Sequence, residues 1–248
     1  PQDLPMDFSN ETRAFSSFND HLIQITTKNI TITDLNEFTL QKEFEFISRA
    51  HIFENYILIS SIASNFEINS SSRSKTVEII LYQFDANPHL NSKGLTLVAK
   101  IQMELDPLTD VTSLWIVPST IDDSSQSIYI FVSLLVDIKS SLKIFNVGDN
   151  KELVNIQHIT NGIDTPVDIV SVSSEDIWYN AILVGQRNGT YFYAEWNDTE
   201  FFIRFSYTIG DSIDVKFIKD GEKVFALCGF IYRLSSLDFV SPFRPELV

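Results

Sequence analysis

The 248-residue sequence has few of the residues on which several common protein classes depend. Its single cysteine, Cys228, excludes a disulfide framework within the chain and fits a reducing compartment. Only 8 glycines occur, against ~7% of residues in average proteins, which argues against a repeat with a strict glycine signature, such as a regular WD-type propeller. A propeller whose blades no longer resemble one another stays open. No apolar run approaches the ~18 residues of a membrane span.

Signatures of catalysis and metal binding are also missing. The sequence contains no P-loop, no G-x-S-x-G and no H-E-x-x-H motif. None of the four histidines stands at a metal-ligand spacing from another histidine or from the cysteine. They are His21, His51, His89 and His158. We therefore predict no catalytic residue, no metal site and no bound cofactor, and a domain that is not an enzyme.

A few polar residues have a functional interpretation beside a plainer one. Asp122 and Asp123 could hold a metal, but they lie in a polar turn where solvation is the expected state. Asp211 and Asp214 are two close carboxylates, although spacing alone does not make a glycosidase pair. Cys228 lies in an apolar run, which favours a core residue over a reactive thiol.

Aromatic and asparagine residues carry two further alternatives. The tryptophans Trp115, Trp178 and Trp196 could anchor a partner, but packing between blades is the favoured interpretation. Five sequons would be glycosylation sites in a secreted protein, whereas in a chain rich in Asn, Ser and Thr they are expected by chance. They begin at Asn10, Asn29, Asn69, Asn188 and Asn197.

The chain is strongly acidic, with a formal net charge of −15. A field of this sign repels phosphate backbones, so tight nucleic-acid binding by this domain is not expected. A basic protein surface is a better partner. The alternative is that the charge serves only to keep the domain soluble.

Turn signals and alternating hydrophobicity predict short antiparallel strands throughout. Asn188-Gly189 separates two runs rich in β-branched and aromatic residues and suits a type I′ hairpin turn, and Asp220-Gly221 marks a second tight turn. Both turns lie within residues 177–234. Earlier in the chain, the alternation of apolar and polar residues within residues 21–34 predicts two strands. Further strands are expected at residues 44–48, 56–62, 76–84, 95–103, 114–117, 127–136, 141–147, 153–158 and 167–172.

These fifteen to eighteen strands, with no convincing helix, predict an all-β fold. A rhythm of short strands and tight turns is typical of a β-propeller blade or a β-sandwich. At ~40–45 residues per four-stranded blade, the chain supplies about five to six blades. No linker divides it, so a single propeller domain over residues 1–248 is expected. Pro1 is not a natural start, which suggests a piece of a longer protein.

Five phrases, in order along the chain, resemble one known propeller family. Residues 181–194, AILVGQRNGTYFYA, are similar to a blade of the middle propeller in the family of the large damaged-DNA-binding subunit. That family also includes the scaffold subunit of cleavage and polyadenylation specificity factor, the propeller scaffold of the branch-site splicing complex, and the yeast cullin adaptor of the Mms type. The other phrases are residues 21–26, 136–145, 208–217 and 223–228.

The resemblance extends over residues 8–236 and identifies a divergent, fungal-type member. Val136 stands where the family has an aromatic residue, Ile213 lies near a missing proline, and a longer turn is reduced to Cys228-Gly229. The match begins one or two blades into a seven-bladed propeller, so the missing blades are expected elsewhere in the protein.

The resemblance implies a nuclear, non-enzymatic scaffold made of three propellers. In one branch the middle propeller docks a cullin in a ubiquitin ligase for DNA repair. In the other branches it holds splicing or cleavage and polyadenylation subunits together. The resemblance assigns no partner-binding residue, and a propeller glycosidase and a vesicle-coat or nuclear-pore propeller remain as alternatives of other classes.

Overall fold

The computed structural model describes residues 12–34, 39–62, 74–85, 94–119, 128–172, 180–197, 199–209, 212–220, 223–230 and 237–240. Nearly all of this is strand, and the one helical segment in these ranges is a short 3-10 turn at Asp149–Lys151. None of the helical structure in these ranges is long and apolar enough to cross a membrane. The nineteen strands are β1 (Thr12–Phe18), β2 (His21–Thr26), β3 (Asn29–Asp34), β4 (Thr39–Glu43), β5 (Ile47–Phe53), β6 (Tyr56–Ile62), β7 (Lys75–Asp85), β8 (Gly94–Leu105), β9 (Thr109–Pro118), β10 (Ile128–Val136), β11 (Lys139–Val147), β12 (Leu153–Ile159), β13 (Pro166–Val172), β14 (Ala181–Gln186), β15 (Thr190–Trp196), β16 (Phe201–Thr208), β17 (Ser212–Asp220), β18 (Lys223–Phe230) and β19 (Leu237–Val240).

The strands form five consecutive sheets in which neighbours along the chain are neighbours in the sheet. The orders are β1-β2-β3-β4, β5-β6-β7-β8, β12-β11-β10-β9, β13-β14-β15-β16 and β17-β18-β19. Such meanders form because a tight turn brings two successive strands together without a crossover. The predicted all-β class and the predicted four-stranded antiparallel blade are confirmed, and the five sheets agree with the expected five to six blades.

Two compact units share the chain. The first comprises Pro1–Ile116 with Val147–Val154, and the second comprises Val117–Asn146 with Asn155–Val248. In the first unit, isoleucines from the opening two sheets build one core with Tyr82 and Phe84. Their positions alternate along the strands, since successive side chains of a strand point to opposite faces. The isoleucines are Ile23, Ile25, Ile30, Ile32, Ile47, Ile57, Ile59 and Ile80.

The second unit has a core of its own between the fourth and fifth sheets. Tyr191 and Tyr193 of β15 pack there with Val215 and Phe217 of β17. Small residues of β14 and β18 complete this core, including Ala181 and Ala226. The strands of β10 and β11 are also apolar on their buried faces, and they carry the fully buried pair Phe131 and Phe145.

Several predicted strands agree with the structure to within one or two residues. Residues 56–62 are β6, residues 127–136 correspond to β10, and residues 141–147 pair with residues 153–158 as neighbouring strands of one sheet. Sequence patterns place these elements well because both their alternation and their turns are local features.

Residues 44–48 were predicted as one strand, but only Ile47 and Ser48 lie in a strand, at the start of β5. Residues 44–46 connect β4 to β5, and the backbone here bonds to an earlier turn: the Phe44 amide donates to the Lys28 carbonyl at 2.7 Å and the Ile47 amide to the Thr27 carbonyl at 2.6 Å. Phe44 packs against the first core and Phe46 stays exposed. Phe44 therefore holds the connection between the two sheets against the first core.

The predicted type I′ turn at Asn188-Gly189 is also wrong, although the hairpin exists. Gly189 has φ +79°, but Asn188 does not have a positive φ, and a type I′ turn requires both. The loop has three residues, Arg187 to Gly189, with the glycine in the left-handed position. The side chain of Asn188 accepts hydrogen bonds from the amide and hydroxyl of Thr190 at 3.1 and 2.6 Å, which holds Asn188 in place. The second predicted turn lies outside the described residues, but β17 and β18 do pair from Asp220 and Lys223 onward.

Candidate interaction surface

That the protein has no metal site stays a prediction. The structure does show the surroundings of three of the four histidines. No group of three or more His, Cys, Asp or Glu side chains that could hold a metal occurs within the described ranges. His21 pairs with Asp34 across β2 and β3, with 3.9 Å between its Nε2 and the carboxylate, and packs edge-on against Phe84. Its ring is buried, and among the described residues neither ring nitrogen has a hydrogen-bond partner. His89 lies outside the described residues.

His51 joins two sheets of the first unit as a hydrogen-bond acceptor. Its Nδ1 accepts the backbone amide of Ile116 at 3.2 Å, which requires the neutral imidazole. Burial lowers the pKa of His51 to about 4, because the charged ring would lose its hydration. His158 is exposed, and its pKa is lowered by partial burial and by Lys143. Among the described residues, neither His51 nor His158 belongs to a group of side chains that could hold a metal ion.

The described tryptophans are packed. Trp115 is buried in β9. Trp196 lies against Tyr129 and Phe201, with ring centroids 5.8 and 5.2 Å apart, and so contributes to packing within the second unit. These contacts favour the packing interpretation over a partner anchor for both residues. Trp178 lies outside the described residues.

The carboxylates singled out in the sequence do not form a catalytic pair among the described residues. Asp214 is half exposed and forms an ion pair with Arg187 at 3.6 Å. Asp122, Asp123 and Asp211 lie outside the described residues. Cys228 belongs to β18, but its side chain also lies outside the description. The glycosidase alternative therefore gains no support from the described residues.

Asp168, which sequence patterns did not single out, is a partly buried carboxylate that joins two sheets. Its two oxygens accept the amides of Ile169 at 3.0 Å and Phe217 at 2.7 Å, which joins β13 to β17. Burial raises the pKa of Asp168, while these two hydrogen bonds and Lys216 act in the opposite direction. An aspartate inside a strand is uncommon, and this was the available signal in the sequence.

A second missed network surrounds Asn180. Its Nδ2 donates to the Tyr129 hydroxyl at 3.0 Å, its Oδ1 accepts the Ser119 hydroxyl at 2.9 Å, and its carbonyl accepts the Trp196 amide at 2.8 Å. Asn180 is buried, so each of these partners replaces a bond to water. The network is structural: it fixes the aromatic cluster of Tyr129, Trp196 and Phe201.

Surface features distinguish two places in the second unit. The hairpin between β10 and β11 ends in Asp137-Ile138, and the Ile138 side chain is 91% exposed. On β16, Phe202 is 49% exposed and the guanidinium of Arg204 lies 5.2 Å from its ring centroid, while Arg204 also pairs with Glu195. Both places present apolar side chains to solvent, and both suit contact with another protein better than chemistry on a small molecule.

Comparison with known proteins adds a likeness in fold. No protein-family model and no curated protein matches the chain. Among solved structures, 241 chains match, so the likeness describes a common architecture and does not define a family. One of them belongs to the complex structure of the fission yeast SREBP-SCAP binding domains, with a TM-score of 0.52 and 10% sequence identity. The match covers 96% of this chain but 62% of that one, and at this identity the shared property is the sheet-rich fold.

Proposed function

We propose that this chain is a non-catalytic protein-interaction scaffold. The observation that carries the proposal is the apolar tip of the hairpin between β10 and β11. Val136 and Lys139 pair at its base, so the two loop residues Asp137 and Ile138 project beyond the sheet. Burying an isoleucine side chain is worth about 1.5–3 kcal/mol, and this domain leaves nearly all of Ile138 in water. A partner pocket would recover that free energy.

The tip is well suited to act as an anchor. Asp137 has φ +54°, a left-handed conformation that fixes the loop between two long paired strands. The β-branched side chain of Ile138 has few rotamers to lose on binding. Val136, also exposed, extends the apolar surface next to it. An apolar residue held in this way can enter a pocket at a small cost in conformational entropy.

The finer proposal follows from the resemblance to the middle propeller of the damaged-DNA-binding subunit family. In that role the chain would be part of a nuclear triple-propeller protein and would dock a cullin in a ubiquitin ligase for DNA repair. The alternative is a scaffold for pre-mRNA splicing or for cleavage and polyadenylation, which the same phrases support equally. The fission yeast neighbour is named for domains that bind each other, which accords with a protein partner for this chain too.

The test is affinity purification of the full-length protein from its own nuclear extract, followed by mass spectrometry. A cullin with a RING subunit among the strongest partners would establish the ligase branch, and splicing or polyadenylation subunits without a cullin would establish the other. If neither set of partners is recovered, the family proposal is overturned. Hydrolysis of chromogenic glycosides by the pure protein would overturn the non-catalytic role.

A matched pair of variants tests the tip itself. Ile138→Ser removes the exposed apolar side chain, and Ile218→Ser makes the same change at another exposed isoleucine, on β17. We expect Ile138→Ser to lose a partner that the parent protein retains, at unchanged thermal stability. Equal partner recovery with both variants would show that the tip is not the anchor.

A further inference from the structure

The outer edge of the fourth sheet has little of the protection that edge strands usually have. β16 is the last strand of its sheet, spans eight residues, and contains one charged residue, Arg204, and no proline or lysine. Native proteins usually protect an edge strand with charge, shortness or a covering segment. β4 is protected in this way, because it has five residues that include Lys42 and Glu43. The edge of β8 is partly covered, because the backbone of Lys100 forms an isolated parallel β-bridge with that of Glu152.

The register shows which backbone groups of β16 face outward. The Ile209 amide donates to the Gly189 carbonyl at 2.9 Å, so residues 205, 207 and 209 bond toward β15. Because hydrogen-bonded and non-bonded pairs alternate in an antiparallel ladder, Ser206 and Thr208 direct their amides and carbonyls away from it. Within the part of the chain that the structure describes, these four groups make no hydrogen bond, and both side chains are exposed.

One end of this edge already binds an amide. The side chain of Gln157 donates from Nε2 to the Phe201 carbonyl at 2.9 Å and accepts the Phe201 amide through Oε1 at 2.8 Å. A carboxamide carries the same donor and acceptor as a peptide group. Gln157 therefore occupies the position that one residue of a neighbouring strand would take, and the edge beyond the bulge at Arg204 continues in the same direction.

The charge around the edge indicates the chemistry of an occupant. Residues 195–208 contain three acidic residues and one arginine, in a chain of net charge −15. The arginine is already paired with Glu195. Phe202 adds an apolar surface to the same strand. A complementary strand would have basic residues that alternate with apolar residues, because successive side chains would point to opposite faces of the sheet.

We propose that β16 accepts an extended, basic segment of a partner protein as a fifth strand of the fourth sheet. The segment bonds to the amides and carbonyls of Ser206 and Thr208, in the way that strand addition works on other open sheet edges. This inference rests on the proposed role in protein interaction and names a second surface for it, separate from the Ile138 tip.

A proline scan with a matched control tests the main-chain bonds. Ser206→Pro removes an outward amide while leaving the bonds to β15, and proline is tolerated on edge strands. Ser206→Ala changes the side chain and keeps the amide. The probe is a fluorescein-labelled ten-residue peptide of alternating valine and lysine, followed by anisotropy on the full chain. We expect at least tenfold weaker binding for Ser206→Pro and less than a twofold change for Ser206→Ala.

Two further measurements use the unaltered chain, so a folding defect of the proline variant cannot obscure the result. A probe that is N-methylated at alternate residues should lose binding, and hydrogen exchange should show new protection at Ser206 and Thr208. The proposal would be overturned if the methylated probe or a valine–glutamate peptide bound as tightly as the valine–lysine probe. It would also be overturned if the valine–lysine probe showed no binding at protein concentrations up to 1 mM. Concentration-dependent dimers that Ser206→Pro abolishes would assign the edge to a second copy, and would overturn it too.

The outcome is separable from that of the proposed function. If the purified full-length protein retains its protein partners when it carries Ser206→Pro, and the peptide fails to bind, the interaction role stands and the edge inference fails. If no protein partner is found while the peptide binds as expected, the edge property stands and the scaffold role fails.

Discussion

A β-carbon on Gly185 would lie 1.9 Å from the backbone carbonyl oxygen of Val215. The two residues belong to β14 and β17, and their backbones approach until no side chain fits between them. Asp168, the register partner of Gly185, reaches across the same joint to the Phe217 amide. A glycine and an aspartate on paired strands therefore hold the fourth and fifth sheets together within the second unit.

Gly185→Ala should destabilise the protein strongly. The new methyl group meets backbone, which cannot rotate away, so the two strands must separate. We expect the free energy of unfolding to fall by about 3 kcal/mol or more, at the upper end of overpacking effects. Urea denaturation at neutral pH measures the change. Gly94→Ala is the control, since a β-carbon there has nothing within 4 Å, and it should change stability by less than about 1 kcal/mol. Equal effects of the two substitutions would contradict the close approach.

The stability of the fold should fall as the pH drops through the range set by His51. Its folded pKa is about 4, below the ordinary 6.5, so between these values the unfolded chain binds the additional proton. The stabilisation is complete above pH 6.5 and is lost as the pH falls toward 4, by about 3 kcal/mol in all. Urea denaturation across this range measures the slope.

His51→Asn provides the control for that slope. The Asn Oδ1 can accept the Ile116 amide in place of the imidazole Nδ1 but does not titrate. The difference in unfolding free energy between the parent protein and this variant should therefore shrink or reverse as the pH falls. A constant difference from pH 7 to pH 4 would show that His51 does not become protonated on unfolding in that range.

Gln157→Leu should cost about 1–3 kcal/mol, because it leaves the buried amide and carbonyl of Phe201 without partners. Asn155→Leu, on the same strand and exposed, is the control and should be near neutral. Urea denaturation gives the free energies, and faster hydrogen exchange at the Phe201 amide would localise the defect. Unchanged exchange at Phe201 would contradict the assigned hydrogen bonds.

Glu54→Gly should stabilise the protein by about 0.5–1 kcal/mol. Glu54 has φ +51° in the two-residue loop between β5 and β6, a conformation that costs most L-residues about 1–2 kcal/mol. Asn19 has nearly the same φ, +49°, in the matching loop between β1 and β2, but asparagine tolerates it. Thermal unfolding should therefore show a rise for Glu54→Gly and little change for Asn19→Gly. A loss of stability for Glu54→Gly would mean that its side chain has a stabilising contact.

Local patterns accounted for the strands and failed at the connections. Residues 56–62 form a short run rich in apolar residues and are β6, whose five middle residues are all buried; such a run is a signal that needs only neighbours in sequence. Residues 44–48 have a similar composition, yet residues 44–46 connect two sheets, and the Phe44 and Ile47 amides bond to the Lys28 and Thr27 carbonyls of an earlier turn. The loop at Asn188 departs from its expected turn type through hydrogen bonds to Thr190.

Composition and residues a few positions apart were enough to predict the all-β class, the antiparallel hairpins and the acidic charge. Which residues join the sheets depends on how whole sheets pack, and no local pattern predicted it. Asp168 and Phe217 lie 49 positions apart, and Gln157 and Phe201 lie 44 apart. No periodicity relates such residues, because they meet only when whole sheets pack. The same packing made Gly185 a point of close approach and left the Ser206 edge open, so the candidate interaction surfaces follow from tertiary structure.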